Sequence, residues 1–448
     1  MSETEAEEPA AAAVRLRNPW WIPPFLGRVP AGVEAGHLRV LGAVALALFF
    51  EEYDLAMLTN ALKFIAEDLG MAEASLPTYL GVVRLGALPA LFLIPLADRF
   101  GRRRIFLLSL AGSGIVTFLT AFSRTPAEFV LLQMCCRAFF VAGSAVSVVM
   151  ISEEFPARSR GWGIGMLAAL GVSGHGFAAL LFSQIDFLPF GWRFLYAVGI
   201  VPVVFLPLFA ARLRETRRFE AHRAGLGAED GGGGVLGALA PAFRLARHHP
   251  LRAVGITLTA GVASLGMIAA FQFTSYYVLK VHGWSPGDYA LMVLVGGGVG
   301  IIGNVVAGHL GDVVGRRRVG FLVLAAFPLF VTLFYRAPGF LVPLAFVGFV
   351  FCSSAGRTIL RAFSTELFPT SQRGTAAGWF ALVDTLGAAG GLLLLGAGAR
   401  EEGDVARLIP YLTSMVLVGG IALLFFPETG RRELEEISAD PPGGGPGA

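Results

Sequence analysis

Three carboxylates lie within four consecutive positions of an otherwise apolar stretch, LALFFEEYDLAML at residues 46–58. They are Glu51, Glu52 and Asp54. On a helix, residues three apart share a face and neighbours differ by about 100°, so Glu51 and Asp54 point one way and Glu52 another. Two carboxylates crowded in a low dielectric are not expected both to stay ionised. These positions could therefore take up and release a proton near neutral pH.

The composition indicates the medium that surrounds these acids. Of 448 residues, 55% are hydrophobic and 15% are charged, whereas soluble proteins carry about 25% charged residues. A membrane-spanning helix needs roughly 20 mainly apolar residues, and an all-α membrane protein with twelve such helices is predicted. The predicted spans 1 to 12 are 38–62, 76–97, 104–123, 127–151, 162–185, 192–211, 251–279, 289–310, 319–336, 339–364, 375–398 and 407–427. The three cysteines have no disulfide or zinc spacing, and we expect no metal and no cofactor.

Basic residues predict the orientation of these spans, because cytoplasmic loops carry an excess of Lys and Arg. We expect both termini to be cytoplasmic, with a tail at 1–37, a linker at 212–250 and a tail at 431–448. The acidic start, MSETEAEEPAAAAV, does not have the pattern of a signal peptide. A multi-pass protein of a bacterial inner membrane is expected. The arginine clusters that fall on the predicted cytoplasmic side lie at 99–104, 158–160, 212–252, 316–318, 373 and 431–432, whereas the other side has Lys63, Arg124, Lys280, Arg336 and little else.

Further ionisable residues lie inside the predicted spans. A charge at the centre of a membrane helix costs about 2.5–3.5 kcal/mol, so each is expected to face the bundle interior beside a partner. At about 1.5 Å of rise per residue, four residues of the first half lie about 20 to 24 Å from the same membrane surface. They form one polar layer, either a functional site or a paired structural network. The four are Glu51, Arg84, Arg137 and His175, and the second half adds Arg357, Arg361 and Asp384.

The two halves of the chain repeat each other. LADRFGRRR (96–104) recurs as LGDVVGRRR (310–318), and SEEFPARSRG (152–161) recurs as TELFPTSQRG (365–374). Parallel six-helix repeats of this kind place a substrate site near the bilayer midplane, between the halves. We predict two pseudo-symmetric bundles of six helices, at 38–211 and 251–430.

GHLGDVVGRRR (308–318) resembles the signature that major facilitator superfamily transporters carry between helices 2 and 3 and again between helices 8 and 9. The first copy departs from it at Ile94, where glycine is usual. EEFPARSRG (153–161), RETRRF (214–219) and PETGR (427–431) resemble a narrower group. That group holds sugar porters, organic-ion transporters, synaptic-vesicle-2-like proteins and aromatic-acid:proton symporters. The resemblance covers roughly 38–435 and implies the major facilitator fold, secondary active transport by alternating access and no enzymatic activity. It also implies a monomer in the bilayer, with a small molecule and protons as partners and no nucleic acid.

The resemblance further implies that the repeated loops hold the cytoplasmic side closed. A carboxylate at the end of span 2 can accept hydrogen bonds from a helix N-terminus or pair with arginines. The alternative is that these charges only fix the topology. The predicted gating residues are Asp98, Arg102, Glu153, Arg160, Asp312, Arg316, Glu366 and Arg373.

The aromatic-acid symporters carry a similar helix 1, with acids at the positions of Glu51 and Asp54 on either side of Tyr53. This chain departs from them at Glu52, where glycine is usual. We predict proton coupling by Asp54, Glu51 and Glu52, and the alternative is that the acids only neutralise arginines. His175 could also be a satisfied polar contact, Tyr276 and Tyr277 an interfacial belt, and Asp384 a structural partner of Arg357. The predicted substrate-binding residues are Arg84, Arg137, His175, Tyr53, Gln272, Tyr276, Tyr277, Arg357 and Asp384.

The substrate class follows from the polar residues that are available. The chain has only four Gln and three Asn, which argues against a sugar site, and residues 162–185 contain no proline, unlike helix 5 of drug:proton antiporters. Arginines at the midplane favour a small organic anion, such as a carboxylate, taken up by proton-coupled symport. The acids equally suit an organic cation or zwitterion. The residues also leave open a proton-coupled exporter and, less strongly, a sugar porter or a non-transporting sensor.

Overall fold

Helices form along each of the twelve predicted spans, which confirms the all-α fold. The computed structural model describes residues 16–24, 28–156, 158–216, 245–368 and 372–428. The predicted C-terminal tail, most of the predicted linker and part of the predicted N-terminal tail lie outside these ranges. The side chains of Asp98 and Arg373, two predicted gating residues, also lie outside the described part.

The N-terminal half, residues 16–216, contains spans 1 to 6. Their helices are Ala35–Asn60 and Leu62–Asp68 for span 1, Leu76–Leu85 and Ala90–Phe100 for span 2, Arg102–Thr120 for span 3, Pro126–Glu154 for span 4, Arg160–Phe182 for span 5, and Trp192–Ala197, Val201–Val204 and Leu206–Arg212 for span 6. Short 3₁₀ turns at Glu73–Ser75 and Val198–Ile200 complete this half.

The C-terminal half, residues 245–428, contains spans 7 to 12. Span 7 is made of Pro250–Ile256, a π-helical turn at Thr257–Gly261, Val262–Gln272 and Thr274–Val281. The remaining helices are Pro286–Val314 for span 8, Arg316–Arg336 for span 9, Val342–Glu366 for span 10, Arg373–Gly398 for span 11, and Asp404–Ser414 and Val416–Leu423 for span 12, with a 3₁₀ turn at Gly339–Leu341.

Local signals in the sequence set several of these boundaries. Span 4 begins with Pro126 after Thr125, whose hydroxyl accepts the backbone N–H of Glu128 at 3.2 Å. Span 8 begins with a reciprocal capping box between Ser285 and Asp288. Such caps satisfy backbone donors that have no partner within the helix.

Two glycines make the tight turns that join span 2 to span 3 and span 8 to span 9. Gly101 has φ +102° and Gly315 has φ +111°, a backbone conformation that residues with a Cβ rarely adopt. The same turn therefore occurs in both halves, at the glycine of each repeated loop motif.

Ten helical segments in the described part are long and apolar enough to cross a membrane. Span 1 is not among them, since three acids interrupt its apolar stretch. Span 2 is not among them because residues 86–89, which include Pro89, divide it into two helices.

Glycines bring helices into backbone contact at equivalent places in the two halves. A Cβ at Gly174 in span 5 would collide with the carbonyl oxygen of Phe49 in span 1. A Cβ at Gly387 in span 11 would collide in the same way with Gly261 in span 7. Small residues permit this close approach of membrane helices. Span 1 consequently packs on span 5 as span 7 packs on span 11.

The two halves meet towards the end of the bundle that carries Lys63 and Lys280, the lysine end. Span 2 packs on span 11, where Gly81 lies against Leu393. Span 5 packs on span 8, and the second part of span 7 packs on span 1. The opposite end, where Gly101 and Gly315 lie, is called the arginine end.

Candidate functional site

Glu52 and His175 form a direct contact between span 1 and span 5. The His175 Nδ1 atom lies 3.0 Å from Glu52 Oε2. The neighbouring Gly174 makes this possible, because its missing side chain lets the span 5 backbone reach Phe49. The sequence places His175 level with the acids but does not identify the partner of Glu52. In the structure that partner is this imidazole.

Asp54 points the other way, into the interior of the N-terminal half. It is only 4% exposed. The Thr117 hydroxyl of span 3 donates a hydrogen bond to Asp54 Oδ1 at 3.2 Å, and Gln133 of span 4 also hydrogen-bonds the carboxyl group. Asp54 is thus held by neutral donors in a site closed to solvent.

Arg137 lies among the acids of span 1. It interacts electrostatically with Glu51, Glu52 and Asp54. Glu51 also hydrogen-bonds the side chain of Ser144, which lies about two helical turns beyond Arg137 on span 4. The structure therefore separates the acids as helical phase requires, with Glu51 and Asp54 towards spans 3 and 4 and Glu52 towards His175.

Arg84 joins the same layer from span 2 and reaches across to the other half. Its guanidinium donates to the Gln272 side-chain oxygen at 3.1 Å, and the Gln272 amide nitrogen donates to Thr59 at 3.0 Å. Arg84 also interacts electrostatically with Arg137 and Asp384. Spans 1, 2 and 7 are thereby linked at one level.

The C-terminal half contributes Arg357 and Asp384. Arg357 is exposed and interacts electrostatically with Asp384 and, across the halves, with Glu52. The Ser264 hydroxyl of span 7 donates a hydrogen bond to Asp384. Ser264 follows the π-helical turn at Thr257–Gly261, a feature often found at functional positions.

The three tyrosines of the predicted site do not line this layer. Tyr53 is 1% exposed, and its hydroxyl donates to the carbonyl oxygen of Leu195 in span 6 at 2.7 Å. Tyr277 donates to the carbonyl oxygen of Tyr335 at 2.9 Å, inside the C-terminal half. Tyr276 belongs to a separate cluster at the lysine end. The rise of a helix predicts the level of these rings but not the direction in which they point.

That cluster joins the halves at the lysine end, around the buried carboxylate of Glu73. Glu73 accepts hydrogen bonds from Lys280 Nζ at 3.1 Å, from the Tyr276 hydroxyl at 3.2 Å and from the backbone N–H of Gly403 at 2.8 Å. Lys280 also lies 3.4 Å from Glu402. The sequence does not predict a role for Glu73, because its partners are about two hundred positions or more away in the chain.

At the arginine end, the predicted gating residues form equivalent pairs inside each half. Arg102 lies 3.2 Å from Glu153, and Arg316 lies 2.7 Å from Glu366. Asp312 also contacts Arg316, at 3.1 Å. Arg160 begins the helix of span 5.

Two further carboxylates cap the helices that follow the repeated loops. Glu215 accepts the backbone N–H of Arg103 at 3.1 Å, and Glu428 accepts the backbone N–H of Arg316 at 2.8 Å. We expected the aspartates of the loop motifs either to accept such bonds or to pair with arginines. In the structure Glu215 and Glu428 accept the bonds, from the RETRRF and PETGR motifs, while Asp312 pairs with an arginine side chain.

Comparisons with known proteins agree with this architecture. The sequence model of the Major Facilitator Superfamily matches residues 44–392 and 262–442. The chain is 26% identical to a gallate transporter of Pseudomonas putida, over 79% of this chain and 83% of that protein. It is 27% identical to a cis,cis-muconate transport protein of Acinetobacter baylyi, over 77% of this chain and 83% of that protein.

Solved structures show the same fold. The chain matches a D-xylose-proton symporter with a TM-score of 0.69 at 17% identity, over 88% of this chain and 98% of that one. It matches an inward-open conformation of the xylose transporter of E. coli with a TM-score of 0.70 at 17% identity, over 90% and 99% of the two chains.

Proposed function

This chain belongs to the major facilitator superfamily, and on that premise we propose that it takes up a small organic carboxylate, an aromatic acid or a related diacid, together with protons. It is a multi-pass membrane transporter that works by alternating access. The gallate and muconate transporters to which it is similar carry names of carboxylic acids, and a gentisate transporter of Corynebacterium glutamicum is 26% identical to it.

The observation that carries the substrate class is the environment of Arg84. Among the described residues, its guanidinium donates to a neutral partner, the amide oxygen of Gln272. Its positive charge is therefore not matched by a direct carboxylate contact. A substrate carboxylate could replace the amide and form two parallel hydrogen bonds, for which guanidinium geometry is suited. Arg137 and Arg357 add positive charge at the same level.

Proton coupling is assigned to two acids of span 1, Asp54 and Glu51. Both carboxyl groups face the interior of the N-terminal half beside Arg137. Proton uptake by one of them would change the charge balance around Arg137 and so the affinity of the layer for an anion. Glu52, held by His175, is the third acid and faces the substrate side.

The halves act as the two moving bodies, at 38–211 and 251–430, with the site between them. The concentration of arginine at one end supports a cytoplasmic arginine end and cytoplasmic termini. The lysine end then faces the outside, and it is closed because the contacts between the halves are concentrated there. The conformation is therefore inward-facing. In the cycle, the Glu73 cluster opens as the arginine-end pairs of the two halves come together. A single chain supplies every residue of the proposed site, which supports a monomer. The similarity to transporters of Pseudomonas putida and Acinetobacter baylyi supports a bacterial inner membrane.

The test is uptake of labelled gallate, gentisate and muconate into proteoliposomes that contain the purified protein, with and without an inward proton gradient. We expect at least one acid to accumulate above equilibrium, and a protonophore to abolish the accumulation. Arg84→Gln should remove uptake. Arg124→Gln, which changes an exposed residue at the lysine end, should not.

Uptake of a labelled organic cation and of an amino-acid zwitterion should be assayed in the same vesicles. Glu52 and Asp384 lie in the layer beside Arg357, and their carboxylates could bind a positively charged group. Uptake of a cation and of no carboxylate would overturn the anion assignment. Accumulation of a carboxylate without any dependence on the proton gradient would overturn the coupling.

A further inference from the structure

Hydroxyl-bearing residues line one face of span 3 in an unbroken row. The first four, at intervals of four, four and three residues, return to the same side of the helix Arg102–Thr120, and the fifth follows its end. All five are buried, at 3% exposure or less, so the row faces protein and not lipid. Its members are Ser109, Ser113, Thr117, Thr120 and Ser123.

The middle member, Thr117, connects this row to the buried acid of span 1. Its hydroxyl donates to Asp54 Oδ1 at 3.2 Å and lies 3.0 Å from the Cys136 sulfur of span 4. The Cys136 thiol in turn lies within 3.7 Å of the carbonyl oxygen of Ser113. Asp54, Thr117, Cys136 and the Ser113 carbonyl are thus a continuous chain of polar groups.

This chain can satisfy Asp54 with or without a proton. When Asp54 is ionised, the Thr117 hydroxyl donates to the carboxylate and the Cys136 thiol donates to the Thr117 oxygen. When Asp54 is protonated, its own O–H donates to Thr117, the Thr117 hydroxyl turns to the sulfur, and the thiol turns to the Ser113 carbonyl. Each group keeps a partner in both arrangements, because a hydroxyl and a thiol can donate or accept.

We propose that Thr117, backed by Cys136, is the positioning residue of the proton site, holding the Asp54 carboxyl in one place in both protonation states and setting its affinity for the proton. The inference rests on the proposed proton coupling and adds residues of spans 3 and 4 to it. The charged or titratable groups that face Asp54 are Glu51 and Tyr53 of span 1, Cys136 and Arg137 of span 4 and Tyr196 of span 6.

The test is the pH profile of proton-driven uptake in proteoliposomes for Thr117→Val, which keeps the shape of the side chain and removes its hydroxyl. The ionised carboxylate then loses a donor, so the proton is held more tightly. We expect the pH of half-maximal uptake to rise by about one unit, a tenfold change in the proton concentration required. Counterflow exchange of substrate at low pH, which needs no net proton release, is measured in the same vesicles and should fall less than proton-driven uptake.

Thr117→Ser restores the hydroxyl and should return the midpoint to within about 0.3 units of the wild type. Thr413→Val is the matched control, since Thr413 is equally buried and its hydroxyl donates within its own helix, to Pro410. Should Thr117→Val not fold, Thr117→Cys keeps a weak donor of similar size and should give a smaller upward shift.

An unchanged midpoint in Thr117→Val, or in Thr117→Cys where that variant replaces it, would overturn the inference. So would an equal shift in Thr413→Val. If the wild-type protein itself shows no pH-dependent uptake, the proposed proton coupling fails instead, and the two failures are distinguishable because only the second appears in the wild type.

Discussion

The carboxylate of Glu73 lies 3.1 Å from the ammonium group of Lys280, and the two residues belong to opposite halves of the chain. Glu73 is buried, so its negative charge depends on this partner and on the Tyr276 and Gly403 donors. Removing one partner of a buried pair leaves a charge without compensation, which costs more than the pair itself contributes. Loss of this contact should therefore weaken the seal of the lysine end, that is, the contacts that hold the two halves together there.

Lys280→Met should shift the conformational equilibrium towards opening of the lysine end, by about tenfold or about 1.4 kcal/mol. The measurement is the distance between spin labels at the exposed positions Ala127 and Arg400, in a background where the exposed Cys135 is replaced by serine. We expect a new, longer distance in the distribution.

Lys63→Met is the matched control for that variant. The chain has only these two lysines, and Lys63 pairs with Glu67, one turn away on its own helix, at 4.0 Å. A partly exposed pair within one helix contributes little, so the label distances should not change. Equal distributions for the two lysine variants would contradict the role of Glu73 as part of a seal.

Gly174→Ala should lower both stability and uptake. The added Cβ would meet the Phe49 carbonyl oxygen, a backbone atom that cannot move without separating span 1 from span 5. Overpacking costs about 1–3 kcal/mol and would lengthen the Glu52–His175 contact. Thermal unfolding in detergent and uptake in vesicles check this. Gly165→Ala, on the same helix with no heavy atom within 4 Å of the added Cβ, should have no effect.

Asp54→Asn should abolish accumulation driven by a proton gradient and retain counterflow exchange. The amide has nearly the shape of the carboxyl group and cannot titrate, while Thr117 can still donate to its oxygen. Glu51→Gln should impair accumulation as well, and Asp186→Asn, exposed at the lysine end, should not. If Asp54→Asn and Glu51→Gln both leave accumulation intact, the coupling residues have been assigned wrongly.

Glu52→Gln separates the third acid from the first two. Its contact is with His175, towards the space between the halves, and we expect it to raise the KM for substrate several-fold while the gradient still drives accumulation. Loss of accumulation with an unchanged KM would place Glu52 in proton coupling instead. Initial rates over a range of substrate concentrations, measured with and without the gradient, distinguish these results.

Glu428→Ala should lower the stability of the C-terminal half, because it removes the acceptor for the backbone N–H of Arg316. Capping groups contribute about 0.5–2 kcal/mol. Glu215→Ala should have a similar effect, and the two losses should add, since the caps lie in opposite halves. Thermal unfolding of the single and double variants checks this, with Glu401→Ala, an exposed loop residue, as the control.

The level of the polar layer could be predicted from the sequence, because a helix rises by a fixed amount per residue. Counting from the ends of the spans was enough to align Glu51, Arg84, Arg137 and His175. The direction of each side chain was harder. Glu51 and Asp54 share a face by helical phase alone, but which neighbour they meet depends on the packing of spans 3 and 4.

Contacts between the halves could not be predicted in this way. Glu73 and Gly403 are 330 positions apart, and their contact exists only because the two bundles are docked at one end. The same holds for Tyr53, whose burial against Leu195 depends on how span 6 packs. Glu215 and Glu428 belong to the RETRRF and PETGR motifs, which the sequence analysis identified. The motifs do not predict which backbone N–H donates to each carboxylate.

The repeated framework has one further consequence, which concerns electrical work. The glycine contacts and the helix caps occur in both halves, 213 positions apart in each case, at Gly174 and Gly387 and at Glu215 and Glu428. The position 213 residues after Asp54 is Met267, which cannot titrate. On the proposed function, the proton is therefore bound by the N-terminal half alone, although the two halves have the same framework. A membrane voltage does about 2.3 kcal/mol of work per unit charge for each 100 mV. It would act directly on the N-terminal half, which binds the proton, and on the C-terminal half only through the contacts between the two halves.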